Sequence, residues 1–190
     1  MIFMENIIAS PSIFYPTRID DELFDLILKK VNQLSVEQDA LIDHNDAIDA
    51  NIRKSKVRWW GSNHWVTSIF SHYFNLANVN NWEYDLSYLS EIQITKYTAG
   101  GFYTWHCDYG VRDDAYKNTR KLSASLLVSN PNNFVGGDLE FIGYDGKKIT
   151  APREMGCMTI FDSRLPHRVT QLTSGERISL VAWMCGPKLK

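Results

Sequence analysis

Two periodicities divide the chain near residue 91. Over residues 20–34, Leu23, Phe24, Ile27, Leu28, Val31 and Leu34 recur at helical spacing, which puts them on one face of an amphipathic helix. Asp20 stands where an N-cap is needed, with Asp21 and Glu22 in the first turn and Lys29 and Lys30 toward the C-terminal end. That charge order suits the helix dipole. A second amphipathic helix is predicted to start near Ser62, with Trp65, Ile69, Phe70, Tyr73, Phe74 and Ala77 on one face. Between them, residues 36–58 are polar and irregular and end in a basic run, Arg53-Lys54-Ser55-Lys56-Val57-Arg58. Such a run reads first as a solvated face, with a grip on substrate as the alternative.

From Glu91 onward, short runs rich in Ile, Val, Thr and Phe alternate with turn signals. The signals are Ala99-Gly100-Gly101, Asn130-Pro131-Asn132-Asn133, Gly136-Gly137, Tyr144-Asp145-Gly146, Arg153-Glu154-Met155-Gly156 and Thr173-Ser174-Gly175. Strands at such even spacing predict a sandwich or barrel. The expectation is an α+β chain forming one domain over residues 1–190. Residues 1–90 would be helical support, buttressing an outer face of a β core at 91–187. No internal repeat or low-complexity tract interrupts it.

Composition narrows the class without naming it. The 190 residues are 44% hydrophobic and 22% charged, and 20 Lys and Arg against 22 Asp and Glu give a formal net charge of -2. That balance lacks the basic footprint of a nucleic-acid binder. No run reaches the length of a membrane-spanning helix, and the start, Met1-Ile2-Phe3-Met4-Glu5, does not read as a signal peptide. Cys107, Cys157 and Cys185 follow no disulfide or zinc-finger spacing, which points to reduced thiols in a cytoplasmic setting. Aromatics are abundant at 13%, and Trp59, Trp60, Trp105 and Trp183 lie near the segments that carry chemistry, either as site residues or as core filling.

The central signal is His106-Cys107-Asp108 followed by His167. In a strand, alternate side chains share a face, so His106 and Asp108 can point together while Cys107 points away. One further ligand from a neighbouring strand completes a triangular face and leaves the opposite positions open. Two imidazoles and one carboxylate with open positions are the donor set of non-haem Fe(II) oxygenases. An isolated His-x-Asp is a weak signal, and His44, His64 and His72 have no such partner in a predicted strand. Asp138 and Glu140 are alternative ligands, although acids that begin a strand after Gly136-Gly137 are the simpler reading.

A hairpin turn at Thr173-Ser174-Gly175 would pair Leu172 with Glu176 and place His167 opposite Val181, so that His167, Arg177, Ser179 and Trp183 share one face. A bulge at Gly175 would shift that register. An arginine inside a β core needs an anionic partner, and its fork matches a carboxylate at two points. A dicarboxylate chelating iron at one end would supply that partner; a surface pair with Glu176 or a nearby acid is the alternative. In Glu91–Tyr97, Gln93, Thr95 and Tyr97 share one face and Ile92 and Ile94 the other, which suits a wall between a wet pocket and a packed layer. Tyr97 could donate to a bound carboxylate or stand in the core with its hydroxyl satisfied.

Taken together these residues resemble the prolyl 4-hydroxylase-like 2-oxoglutarate and Fe(II)-dependent oxygenases. The likeness covers residues 91 to 187 and rests on an ordered set. That set runs through Tyr97-Thr98-Ala99-Gly100-Gly101-Phe102-Tyr103-Thr104-Trp105-His106-Cys107-Asp108 and Arg120-Lys121-Leu122-Ser123-Ala124-Ser125-Leu126. It continues in Gly136-Gly137-Asp138-Leu139, His167-Arg168-Val169-Thr170 and Gly175-Glu176-Arg177-Ile178-Ser179, and ends at Trp183. The resemblance implies a double-stranded β-helix (jelly-roll) core with iron held by His106, Asp108 and His167. It implies 2-oxoglutarate on the metal, bound at its distal carboxylate by Arg177 with Tyr97 and Ser179 nearby, and O2 and ascorbate as co-reactants. Arg120 and Trp183 fall where family members line the peptide groove. The implied activity is hydroxylation of a substrate C–H, a prolyl residue of a peptide or protein first, with a small molecule or another side chain as the alternative. Residues 109–119 are the candidate for a substrate lid, and a β-helix binding module without catalysis is the reading from a different class.

Overall fold

In the computed structural model, which describes residues 14–35, 38–39, 51–110 and 118–188, Asp20 caps helix α1 (Asp21–Asn32). Its carboxylate accepts from the backbone N–H groups of Glu22 and Leu23 at 3.0 and 3.2 Å. Helix α2 (Val66–Asn81) begins four residues after Ser62, because turns hold the intervening backbone. There His64 N–H donates to Gly61 O and Thr67 N–H to His64 O. The apolar stripes are buried for the most part: α1 buries Phe24, Ile27 and Val31, and α2 buries Val66, Phe70, Phe74 and Ala77, whereas Leu23 and Trp65, expected on the same faces, are exposed.

Fourteen strands and a short 3-10 turn at Pro131–Asn133 are the other regular elements among the described residues. The first half contributes β1 (Phe14–Arg18), β2 (Gln38–Asp39), β3 (Arg53–Lys54), β4 (Lys56–Trp60) and β5 (Tyr88–Leu89). The second half contributes β6 (Ile92–Thr98), β7 (Phe102–His106), β8 (Asn118–Leu127), β9 (Phe134–Gly136), β10 (Leu139–Ile142), β11 (Lys148–Thr150), β12 (Cys157–Asp162), β13 (His167–Val169) and β14 (Leu172–Pro187). A helical support region over residues 1–90 is therefore only part of what the first half supplies. Its strands extend both sheets, and the basic run at 53–58 lies largely in strands β3 and β4, with Lys54 and Arg58 on the solvated face expected of it and Arg53 buried.

The large sheet runs β1-β12-β8-β14-β6-β4-β2, with β5 and β9 also paired to β14, and the small sheet runs β11-β10-β13-β7-β3. Every pairing is antiparallel. The two sheets form the jelly-roll core of a double-stranded β-helix. Both helices cover the outer face of the large sheet, where Phe24, Ile27, Phe70 and Phe74 join Ile92, Ile94, Leu126 and Leu180 in one buried cluster. A second, smaller cluster, including Phe134, Phe141, Phe161 and Leu172, fills the space between the sheets.

The hairpin expected at Thr173-Ser174-Gly175 does not form. Strand β14 continues through these residues for sixteen positions, pairing first with β9 and then with β6 and β8. His167 instead pairs with His106 on one side and Phe141 on the other. Gly175 takes a φ of +81° in an irregular stretch of pairing with β9, and a Cβ there would lie 2.1 Å from Asn133 O. The glycine serves a close strand-to-strand approach instead of a turn.

Candidate metal centre

His106 ends β7 and His167 opens β13, and the antiparallel pairing of these strands sets the two residues side by side. Asp108 lies two residues past the end of β7, where its N–H and that of Tyr109 both donate to Ser163 O, at 2.9 and 2.8 Å. This anchor turns Asp108 inward while Cys107 stays exposed and donates to Arg164 O. His106 Nε2 is 3.6 Å from Asp108 Oδ1, and His167 Nε2 is 3.5 Å from Asp108 Oδ2. The three side chains offer ligand atoms that all lie within 4.8 Å of one another.

The backbone selects the tautomer. His106 Nδ1 is 2.8 Å from Thr104 O and His167 Nδ1 is 2.9 Å from Leu165 O. A carbonyl can only accept, so both Nδ1 atoms carry the proton and both Nε2 lone pairs face Asp108. Burial first, and then the neighbouring His167, push the His106 imidazole down to about 4. Burial pushes the Asp108 carboxyl up, but His167, His106, Arg120 and the Trp183 indole outweigh it and hold it at about 2. The Trp183 N–H lies toward Asp108 without reaching hydrogen-bond geometry, and it is buried with no other partner among the described residues.

Neutral imidazole and ionised carboxylate are the states a divalent cation requires. Cis ligands on bonds of about 2.1 Å stand about 3 Å apart, so the observed spacings close on a metal with a small side-chain adjustment. Stacking holds the rings meanwhile: Tyr103 lies on His106 with centroids 3.6 Å apart, and Phe161 meets His167 edge-on at 4.7 Å. The donor set fits Fe(II).

The triad sits in a cavity of about 260 Å³ between the sheets. Arg177, Ser179, Val181 and Trp183 of β14 line it, as do Gln93, Thr95 and Tyr97 of β6 and Ser125 of β8. The residues expected on one face are thus brought together, although by a continuous strand and not by a hairpin. Arg177 is 4% exposed and donates to Ser179 Oγ at 3.0 Å. Among the described residues no acid pairs with it; Glu176 pairs instead with Lys96 at 2.5 Å, which removes the surface-pair reading. Gly137 leaves room for the arginine stem, because a Cβ there would lie 3.0 Å from Arg177 Cδ. Tyr97 is 3% exposed and pairs with Arg177 across β6 and β14. The Arg120 guanidinium lies 4.1 Å over the Trp183 ring, and Trp59 flanks Trp183 at 6.1 Å.

Asp138 and Glu140 do not reach the centre, being paired with Arg153 and Arg168. His64 stacks on Trp60 and His72 meets Tyr73 edge-on. His44 and most of the segment 109–119 lie outside the described residues. No described helix is long and apolar enough to cross a membrane.

Arg53 and Tyr103 are lining residues that sequence reasoning did not single out. Tyr103 stands three residues before His106, and its place on the imidazole could have been sought from that spacing. Arg53 was hidden in a basic run whose usual fate is solvent.

Comparison with known proteins adds a family. Residues 92–185 match the model of the 2OG-Fe(II) oxygenase superfamily. A PKHD-type hydroxylase of Parvibaculum lavamentivorans is 33% identical over 95 residues, which are 49% of this chain and 41% of that protein. One from Stutzerimonas stutzeri is 34% identical over 94 residues, covering 46% and 40%. The matched stretch thus spans about two-fifths of these relatives' length. Among solved structures, a Pseudomonas putida prolyl-4-hydroxylase superposes with a TM-score of 0.71 at 21% identity, covering 90% of this chain and 91% of that one. A Trichoplax adhaerens prolyl hydroxylase, solved with a hypoxia inducible factor oxygen degradation domain peptide fragment, gives 0.71 at 17% identity, covering 90% and 83%. At these identities the likeness to solved structures concerns the fold.

Proposed function

Residues 92–185 belong to the 2OG-Fe(II) oxygenase superfamily, and from that premise we propose that the chain hydroxylates a prolyl residue of a peptide or protein. The observation that carries this reading is the pairing of two features in one cavity. One is the His106–Asp108–His167 donor set, and the other is a buried Arg177 with no acidic partner among the described residues. Iron(II), 2-oxoglutarate and O2 supply the oxidation, which couples C–H hydroxylation to conversion of 2-oxoglutarate into succinate and CO2, with ascorbate as an auxiliary reductant.

The protein's share of the work is positional. His106, Asp108 and His167 would hold the metal on one face and leave the other open. Thr104 O and Leu165 O keep the two imidazoles in the ligating tautomer. Arg177, pre-set by Ser179, would take the distal carboxylate of 2-oxoglutarate in two-point fashion, with Tyr97 beside it. Arg120, stacked on Trp183, would hold a peptide carbonyl while the indole packs against the pyrrolidine edge. The cavity wall mixes the polar groups already named with aromatic and aliphatic side chains, among them Trp59, Tyr103, Leu139, Phe161, Val169 and Val181, against which the apolar part of a substrate can pack.

Purified protein supplied with Fe(II) and 2-oxoglutarate should form succinate, faster with proline-containing peptides than with their alanine replacements. The peptides should gain 16 mass units. A wide survey of prolyl peptides that shows neither stimulation nor that mass gain would overturn the prolyl assignment and favour a small-molecule substrate.

A further inference from the structure

We infer that Arg53 reads a carboxylate on the primary substrate, at the end of the cavity away from Arg177. This rests on the oxygenase reading of the cavity and goes beyond it by naming what the substrate must carry. Arg53 belongs to β3, a strand of two residues that pairs with Tyr103 and Phe102 at the edge of the small sheet. Its side chain crosses to the large sheet and is 8% exposed. Nε donates to Ser55 Oγ at 2.8 Å, and one Nη donates to Gln93 Oε1 at 2.8 Å.

Those two contacts use two of the five N–H groups of a guanidinium. Among the described residues no acid is paired with it, while Lys56 takes the nearby Asp39 at 2.6 Å. A buried guanidinium with free donors is costly unless an anion completes it. Its orientation is also fixed in advance. Thr95 Oγ1 donates to the same Gln93 oxygen at 3.0 Å, and the Arg53 guanidinium lies 4.8 Å over the Tyr103 ring, which in turn stacks on His106. The chain of contacts therefore ties Arg53 to a metal ligand.

Position assigns the partner. On β14, Arg177 pairs with Tyr97, whereas Gln93, which holds Arg53, pairs with Val181 four residues further along. At about 3.3 Å per residue this puts the Arg177 and Gln93 levels roughly 13 Å apart. Arg177 is matched to the co-substrate at one end. In charge terms a divalent metal, Asp108, a dicarboxylate and Arg177 already balance; of the other charged groups lining the cavity, Asp39 is paired with Lys56 and Arg120 stacks on Trp183 at the metal end, so Arg53 is the cation placed for a second anion. A substrate carboxylate, from a free amino acid or from an acidic side chain beside the target residue, fits that donor fork.

The test is calorimetric titration of the Mn(II)- and 2-oxoglutarate-loaded protein with matched acid and amide probes. L-proline against L-prolinamide tests the free carboxylate. Capped peptides with Asp or Asn next to proline test the acidic side chain. At least one acid should bind roughly 30-fold or more tightly than its amide, the scale expected for a buried charge partner. Arg53→Gln should erase that preference, and Arg53→Lys should keep part of it. The Kd for 2-oxoglutarate, measured on the same preparations, reports whether each variant is folded at the metal end. Acids that bind no better than amides in both arms, or not at all, overturn the inference; so does a preference that survives in Arg53→Gln. If 2-oxoglutarate itself fails to bind the Mn(II)-loaded wild-type protein, the oxygenase reading falls instead.

Discussion

Strands β6, β8 and β14 each present two unlike faces. Toward the helices they offer Ile92, Ile94, Leu122, Ala124, Leu126, Leu180, Ala182 and Met184, all in one dry cluster. Toward the small sheet the alternate positions are Gln93, Thr95, Tyr97, Ser125, Arg177, Ser179 and Trp183, which line the cavity. One face is hydrophobic burial at its simplest. The other keeps polar groups inside at a cost in stability that their mutual hydrogen bonds offset in part and a bound ligand would offset further. The contrast shows that the helices on the outer face supply the stability that lets the inner face carry unpaired donors. Stability and site chemistry should therefore respond to different substitutions, even one residue apart on the same strand.

The strongest break should come at the metal. Asp108→Ala removes the only carboxylate of the donor set and should abolish turnover and iron binding, measured as succinate formed and metal per chain; full activity in this variant would refute the metal centre. Next in size, Phe74→Ala empties a fully buried position in the outer cluster and should cost about 3–5 kcal/mol of stability by denaturant titration. Protein that remains folded should still bind one metal ion. Arg177→Ala should weaken 2-oxoglutarate binding roughly 100- to 1,000-fold or more, from the about 3–5 kcal/mol that a buried pair loses with one partner. Metal stoichiometry should not change, and an unaltered Kd would return Arg177 to a purely structural role.

The two faces were not equally legible in the sequence. The alternation of Ile92 and Ile94 against Gln93, Thr95 and Tyr97 is a local signal with period two, and the strand carries it as read. The stripes of α1 and α2 were local in the same way. What failed depends on partners far along the chain. Thr173-Ser174-Gly175 has the composition of a turn, but Gly175 is there because Asn133 O approaches from β9, and nothing near residue 175 reveals that. The basic run at 53–58 looks like solvent-facing charge until Gln93, forty residues away, is seen to hold Arg53 indoors. The convergence of His167 with Arg177, Ser179 and Trp183 was anticipated on a hairpin register that does not exist. It survives because strand alternation holds the residues of β14 to one face whichever strand pairs beside them.

The smallest expected effect sharpens the separation of the two faces. Asp20 lies outside both and acts only on the start of α1, where its carboxylate accepts two of the helix's free N–H groups. Replacing it with Ala should cost about 1 kcal/mol, a fall of roughly 2–4 °C in Tm for a chain of this size. Among the described residues, Phe24, Ile27 and Val31 of helix α1 join the outer cluster, and none of α1 lines the cavity. Because cavity residues occupy the opposite face of the same strands, Asp20→Ala should leave the 2-oxoglutarate Kd within twofold of wild type. Measuring Tm and Kd on one preparation checks both halves. A Kd that drifts in step with Tm would mean that the outer cluster sets the cavity's geometry, and the two faces would then have to be treated as one coupled unit.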